Sequence, residues 1–150
     1  MNTEYNLSRF LEAQNKDYSR ALGEIKNGRK QGHWIWYIFP QISGLGLSVT
    51  TQFYAIKDLN EASAYLQHPV LGSRLILISQ ALLSVEGKTA QQILGNPDDL
   101  KVKSSMTLFS LLPQPNPVFQ AVLDKFYGGI QDKKTISILE KSENSSSTLE

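Results

Sequence analysis

Residues 68–87 read HPVLGSRLILISQALLSVEG, and this stretch carries the clearest helical pattern of the chain. Its apolar side chains recur at intervals of three and four residues, at Leu71, Leu75, Ile78, Leu82 and Val85. That spacing places them on one face of an α-helix, which must be buried against other elements. Pro69 suits the first position of such a helix, and Gly87 suits the position just after its end. The stretch therefore predicts an amphipathic helix that packs against a core.

Helix start and stop signals continue on both sides of this stretch. Side chains that can accept backbone hydrogen bonds at a helix start precede further apolar runs, at Asp58, Thr89, Asn96, Asn116 and Asp132. The predicted fold is all-α, a single domain over residues 1–141 built as a bundle of about six to eight short and medium helices. Residues 32–48 are predicted to form one irregular aromatic segment. The serine-rich residues 142–150 predict a disordered tail.

The composition excludes several classes of function. Lys and Arg number 15 against 14 Asp and Glu, and a net charge of +1 argues against binding of nucleic acids through their phosphates. The absence of cysteine excludes thiolate metal sites, and His33 and His68 belong to no metal-binding motif. We therefore expect no metal and no cofactor. Apolar residues 34–39 are far too few for a membrane span of about 20 residues, and we expect a cytoplasmic protein.

Aromatic residues are concentrated in one region, with six of the fourteen between His33 and Tyr54. Two interpretations are open. In the first, Trp34, Trp36 and Tyr54 are the walls of a pocket, and His33 is its acid or base because histidine titrates near neutral pH. In the second, the aromatic side chains fill the core and the histidine is a structural donor.

Two polar groups of residues could support chemistry. The glycine loop at residues 44–46 precedes Ser48, and backbone N–H groups in such a loop can hold an anion, although a tight turn would need the same glycines. Lys101 stands three and four residues before Ser104 and Ser105, on one face of a predicted helix. A lysine there could activate a serine nucleophile. The chain has no G-x-S-x-G motif, so small residues at a helix crossing are the alternative.

Three blocks of sequence stand out as a set, namely His33-Trp34-x-Trp36-x-x-Phe39-Pro40-Gln41, Gly44-Leu45-Gly46-x-Ser48, and Pro97-Asp98-Asp99-Leu100-Lys101-x-x-Ser104-Ser105-Met106-Thr107-Leu108-Phe109. Together they resemble the signature of the uncharacterised family catalogued as domain of unknown function 1810, over residues 7–140. The resemblance implies a compact, mainly α-helical bacterial domain with no assigned activity, so it transfers a fold without a mechanism. Some relatives carry a calpastatin label, which this densely patterned chain does not support.

The favoured hypothesis from the sequence is a pocket for an anionic, planar, nucleotide-like small molecule, with the question of enzymatic activity left open. Its catalytic candidates are His33 as acid or base, Lys101 as anion clamp, and Ser105. Its ligand-binding candidates are Trp34, Trp36, Gln41, Ser48, Tyr54, Ser104 and Thr107. The alternative is a non-catalytic module that offers the aromatic cluster Trp34–Phe39 to a protein partner.

Overall fold

The described part of the chain folds mainly into helices, in agreement with the predicted all-α class. The computed structural model describes residues 5–149, with side chains for residues 5–142. Within that range the helices are α1 (Ser8–Lys26), α2 (Ile35–Ile38), α3 (Val49–Tyr54), α4 (Leu59–Gln67), α5 (Leu71–Leu83), α6 (Ala90–Leu94), α7 (Asp98–Ser110), α8 (Pro117–Tyr127) and α9 (Lys133–Leu149). These nine helices are one more than the upper number predicted, because α2 is a single turn, too short to show a helical period.

Helices α5 and α7 form the centre of the core. The predicted apolar face of α5 is buried, and α5 packs against α1, α4 and α8. Helix α7 packs against α8 and α4, where Phe109 lies 5.7 Å from Phe119 and 5.6 Å from Tyr65 between ring centroids. Helix α5 begins at Leu71, two residues after the predicted first position, Pro69. The His68 imidazole accepts hydrogen bonds from Val70 N and Leu71 N, and His68 O accepts from Gly72 N, so His68 caps a turn that includes Pro69, as the sequence predicts.

Helix capping explains most of the helix boundaries. The predicted caps at Asp58, Thr89, Asn116 and Asp132 are confirmed, since each side chain accepts a backbone hydrogen bond from the first turn that follows it. The expected cap at Asn96 is wrong, because α7 begins without a side-chain cap. Local hydrogen bonds thus set where these helices start, and their apolar faces set how they pack.

Residues 32–48 form the irregular aromatic segment that the sequence predicts, with α2 as its one helical turn. Glu24 of α1 anchors the start of the segment. Its Oε1 accepts hydrogen bonds from Gln31 N (2.8 Å), Gly32 N (2.9 Å) and Trp34 Nε1 (2.8 Å). Burial opposes ionisation of this carboxyl, but the hydrogen bonds outweigh it and hold the pKa of Glu24 below its ordinary value.

The segment then returns to the helical body through a short backbone bridge. Ser43 N donates to Ile56 O, and Ile56 N donates to Gln41 O, both at 2.8 Å. This bridge pairs Ile42 with Ile56, and both of these side chains are buried. It fixes the glycine loop at residues 44–46 beside α3 and against α9, where Ile138 packs on Gly44.

Helix α9 continues through most of the segment 142–150 for which the sequence predicts disorder. It runs to Leu149, and Glu150 lies outside the described residues. The sequence contains no glycine or proline after Gly129, so no residue there breaks the helix. Disorder of this tail in solution stays a prediction.

Candidate functional site

An open cleft of about 300 Å³ lies where the loop after α2, the first half of α7 and the start of α9 meet. That volume is at the lower end of the range for small-molecule sites, roughly 300–1,000 Å³. Three separate stretches of the chain supply its lining, which comprises Gln41, Leu45, Gly46, Thr51, Pro97, Leu100, Lys101, Lys103, Ser104, Asp132 and Lys134. The cleft therefore exists only when the three stretches are folded together.

Positive charge dominates the cleft. Three lysines, Lys101, Lys103 and Lys134, line it together with one acid, Asp132. Within residues 5–142, the ammonium groups of Lys103 and Lys134 meet no carboxylate and make no hydrogen bond. Ammonium groups without an internal partner can bind an anion from solution through charge-assisted hydrogen bonds.

Lys101 is the third cation of the cleft, and its charge is only partly compensated. Its Nζ lies 3.6 Å from Asp98 Oδ1 and 5.2 Å from the centroid of the Trp36 ring. Asp98 makes a closer contact with Lys30, at 2.7 Å from Oδ2. Because the carboxylate is shared between two lysines, Lys101 keeps much of its positive potential toward the cleft.

Neutral polar groups complete the lining. Gln41 lines the cleft, and its side-chain amide makes no hydrogen bond within the described part of the chain. The Ser104 hydroxyl donates to Leu100 O (3.2 Å), and the Thr51 hydroxyl accepts from Ser48 (2.8 Å). Gln41 is thus the neutral side chain best placed to donate to or accept from a ligand.

A second, much smaller crevice adjoins the cleft across Gln41 and Thr51 and is lined by Trp36 and Tyr54. Its volume is about 10 Å³, which is room for about one water molecule. Tyr54 packs on Tyr37, at 5.2 Å between ring centroids. Two of the three predicted aromatic walls, Trp36 and Tyr54, therefore lie beside the cleft, but the crevice that they line has no room for a ligand ring.

Two of the predicted site residues lie away from the cleft. His33 is exposed and is absent from the cleft lining, so the structure does not bring it together with Lys101 there. Trp34 is fully buried, with its indole N–H bound to Glu24 and Lys30 Nζ 5.0 Å from its ring centroid. It is a core residue, as the second interpretation of the aromatic cluster expects.

The His33 imidazole makes no hydrogen bond or ion pair with the described residues. The Tyr37 hydroxyl lies 3.5 Å from the His33 carbonyl oxygen and donates a short hydrogen bond to Asp17. Burial, followed by that hydrogen bond and the Asp17 charge, raises the pKa of Tyr37 above its ordinary value. Tyr37 is therefore a neutral donor whose proton is already engaged.

The remaining predicted residues hold the fold around the cleft. Ser48 caps α3 by accepting from Thr51 N at 3.1 Å. Thr107 is fully buried, and its hydroxyl donates to Lys103 O (2.8 Å) and accepts from Asp132 N (2.9 Å). The Ser105 hydroxyl is buried without a hydrogen-bond partner within the described residues, Lys101 included, and does not line the cleft. Of the predicted set, the structure places Gln41, Lys101 and Ser104 in the cleft, with Trp36 and Tyr54 beside it.

The aromatic cluster Trp34–Phe39 is not an exposed patch. Trp34, Ile35, Ile38 and Phe39 are buried, and the other two side chains are half-buried. The protein-interaction alternative therefore lacks the surface on which it depends. The short apolar runs of this segment supply the core beneath α2 instead.

Among the polar and charged residues of the cleft, sequence reasoning missed four, Thr51, Lys103, Asp132 and Lys134. Asp132 was predicted only as a helix cap. A usable signal was present at Lys134, which follows Lys133 in the first turn of α9 with no acid in that turn. Cations are unfavourable at a helix N-terminus, so two lysines there indicate a role other than stabilising the helix.

No group of three or more His, Cys, Asp or Glu side chains in the described part of the chain is placed to hold a metal ion. None of the described helices combines the length and apolarity of a membrane span.

Comparison with known proteins identifies the family but no activity. A family model described as a protein of unknown function, DUF1810, matches residues 4–139. The fold is similar to the crystal structure of the conserved hypothetical protein Rv1873 from Mycobacterium tuberculosis, with a TM-score of 0.89 and 45% identity over 91% of this chain and 97% of that chain. No curated protein matches the chain. The resemblance seen in the sequence blocks is thus confirmed, and the chain belongs to the DUF1810 family of proteins of unknown function.

Proposed function

We propose that the cleft binds a small molecule that carries a phosphate or a comparable anionic group. The observation that carries the proposal is the pair Lys103 and Lys134, two cations on different helices that line one cleft and have no anionic partner within residues 5–142. Lys101 lines the same cleft with part of its charge uncompensated. Lysines that line one cleft from separate elements match an anion with several acceptor oxygens.

The charge distribution supports this proposal. The whole chain has a net charge of +1, whereas the cleft alone brings three lysines against one aspartate. The positive charge is therefore local, which suits a small ligand better than an extended polyanion. An anion beside Lys134 would also offset the unfavourable position of this lysine at the positive end of α9.

The burial of Trp34 favours a different ligand position from the one expected from the sequence. A planar ligand stacked between Trp34 and Trp36 has no space, since one ring is buried in the core and the crevice beside the other holds about 10 Å³. We keep the expectation of an anionic ligand. Its anionic group is placed at the lysines of the cleft. Apolar side chains of Leu45 and Leu100 leave room in the lining for a carbon skeleton.

Calorimetric titration of the purified protein with AMP and with adenosine tests the proposal. We expect AMP to bind and adenosine to bind at least tenfold more weakly, with the AMP affinity falling as salt is raised. Lys103→Gln and Lys134→Gln should each weaken AMP binding by about tenfold, the loss expected for one hydrogen bond to a charged group. Lys133→Gln is the matched control, because Lys133 is an exposed lysine outside the cleft lining. Equal binding of AMP and adenosine, or an equal loss in the control variant, would refute the proposal.

A cytoplasmic location stays part of this proposal. Fractionation of cells that express the tagged protein tests it, and recovery with the membranes or outside the cell would contradict it.

A further inference from the structure

Asp132 is an acid that lines the same cleft as three lysines, and hydrogen bonds fix the position of its side chain and backbone. Its Oδ2 accepts hydrogen bonds from Thr135 N (3.0 Å) and from the Thr135 hydroxyl (2.7 Å), which caps α9. Its backbone N–H donates to the buried Thr107 hydroxyl of α7 at 2.9 Å. Two helices thus hold this residue in place, and the second carboxylate oxygen, Oδ1, has no partner within the described side chains.

The opposite charges of the cleft are kept apart. Asp132 forms no ion pair with Lys101, Lys103 or Lys134, although all four side chains line one cavity. An ion pair among them would neutralise the charges that are available to bind a ligand. A bare anion that binds the lysines gains nothing from the free carboxylate oxygen and is repelled by it. The cleft therefore matches a ligand that combines an anionic group with hydrogen-bond donors.

The donors are better supplied by hydroxyl groups than by an ammonium group. The excess of lysines would repel a ligand cation, whereas a neutral hydroxyl can donate to Asp132 without that cost. The free amide of Gln41 offers both a donor and an acceptor, which matches the dual character of a hydroxyl. A carboxylate and an amide together form a lining suited to a polyol.

We propose, on the basis of the anion-binding function above, that Asp132 selects phosphorylated sugars. The phosphate lies at Lys103 and Lys134, and sugar hydroxyls donate to Asp132 Oδ1 and bind Gln41. The sugar phosphate is recognised either as a free molecule or as part of a nucleotide. Asp132 is a specificity-determining residue in this assignment.

Titrations with inorganic phosphate, ribose 5-phosphate and phosphoethanolamine, on the wild type and on Asp132→Asn, test the assignment. Asparagine caps a helix as well as aspartate does, so the variant keeps the start of α9, and its melting temperature verifies this. Asp124→Asn is the charge control, because Asp124 is exposed on α8 and absent from the cleft lining.

We expect the wild type to bind ribose 5-phosphate at least tenfold more tightly than inorganic phosphate. In Asp132→Asn that ratio should fall at least tenfold, with ribose 5-phosphate bound more weakly and inorganic phosphate more tightly, while Asp124→Asn keeps the wild-type ratio. If Asp132→Asn strengthens both ligands equally, the residue is only a source of repulsion and this inference fails, although the anion-binding function stands. Tighter binding of phosphoethanolamine than of ribose 5-phosphate also overturns it. If the wild type binds none of the three ligands, the proposed function itself fails.

Discussion

Replacement of Gly72 by alanine should strongly destabilise the fold, because no space exists for a side chain where α4 meets α5. A Cβ at Gly72 would lie 1.9 Å from Leu66 O and 2.8 Å from the carbonyl carbon of the same residue. A Cβ essentially never lies closer than 3.0 Å to such an atom. The two helices would therefore have to separate by about 1 Å. The obstacle is backbone in the last turn of α4, which cannot turn aside as a side chain can.

The magnitude follows from the cost of overpacking. Forcing such a shift costs about 3 kcal/mol, at the upper end of the usual range. For a chain of this size, each kcal/mol lowers the melting temperature by roughly 2–4 °C, so Gly72→Ala should melt about 6–12 °C below the wild type. Scanning calorimetry gives the melting temperature, and urea titration gives the free energy of unfolding.

Gly23→Ala is the matched control for this prediction. Gly23 lies inside α1, and a Cβ there would have nothing within 4 Å. Alanine should therefore stabilise the helix by about 0.5–1 kcal/mol and raise the melting temperature slightly. The reasoning is refuted if Gly72→Ala unfolds at the same urea concentration as the wild type, or if the two variants shift the midpoint in the same direction.

Three further predictions concern Glu24, the buried hydroxyls of Ser105 and Thr107, and His33. Because the folded pKa of Glu24 is depressed, the stability that it contributes is full above its unfolded pKa of about 4.3 and is lost as the pH falls through the lower folded value. Glu24→Gln should therefore be less stable than the wild type at pH 7, and the gap should narrow in urea titrations below pH 4.3; a gap that is the same at every pH would contradict this. Ser105→Ala should be neutral or slightly stabilising, because it removes a buried hydroxyl without a partner, whereas Thr107→Val should cost about 1–3 kcal/mol through two lost hydrogen bonds. Equal unfolding midpoints for these two variants would show that the hydroxyls do not differ as described. His33→Ala should leave the AMP affinity within twofold of the wild type in calorimetry, because His33 lies outside the cleft. A tenfold loss of AMP affinity would show that His33 belongs to the binding site.

The helical fold could be predicted because its signals are local. The apolar stripe from Leu71 to Leu82 and the cap at Thr89 depend on residues within a few positions of one another. Periodicity and capping need no knowledge of distant contacts. The start of α5 shows the limit of this reasoning. The side chain that accepts a hydrogen bond from the first N–H groups there is the His68 imidazole, which is not a residue with a known capping preference.

The cleft could be predicted only in part, because it is assembled from three distant stretches of the chain. The sequence indicates Gln41 and Lys101 as polar residues within the blocks that carry the family resemblance. Nothing in their spacing shows that Lys134 joins them in the cleft. Aromatic composition likewise does not distinguish a buried ring from a pocket wall, so Trp34 was placed in the site when its indole N–H is engaged by Glu24 within the core. Side-chain direction in an irregular segment follows from tertiary packing and not from a period.

A crystal structure of the protein saturated with ribose 5-phosphate tests the central claim most directly. The account predicts that the phosphate lies in the cleft between α7 and α9, within hydrogen-bond distance of Lys103 Nζ and Lys134 Nζ. Sugar hydroxyls should face Asp132. A phosphate bound elsewhere on the molecule, or an empty cleft at a concentration that saturates binding in solution, would contradict the account.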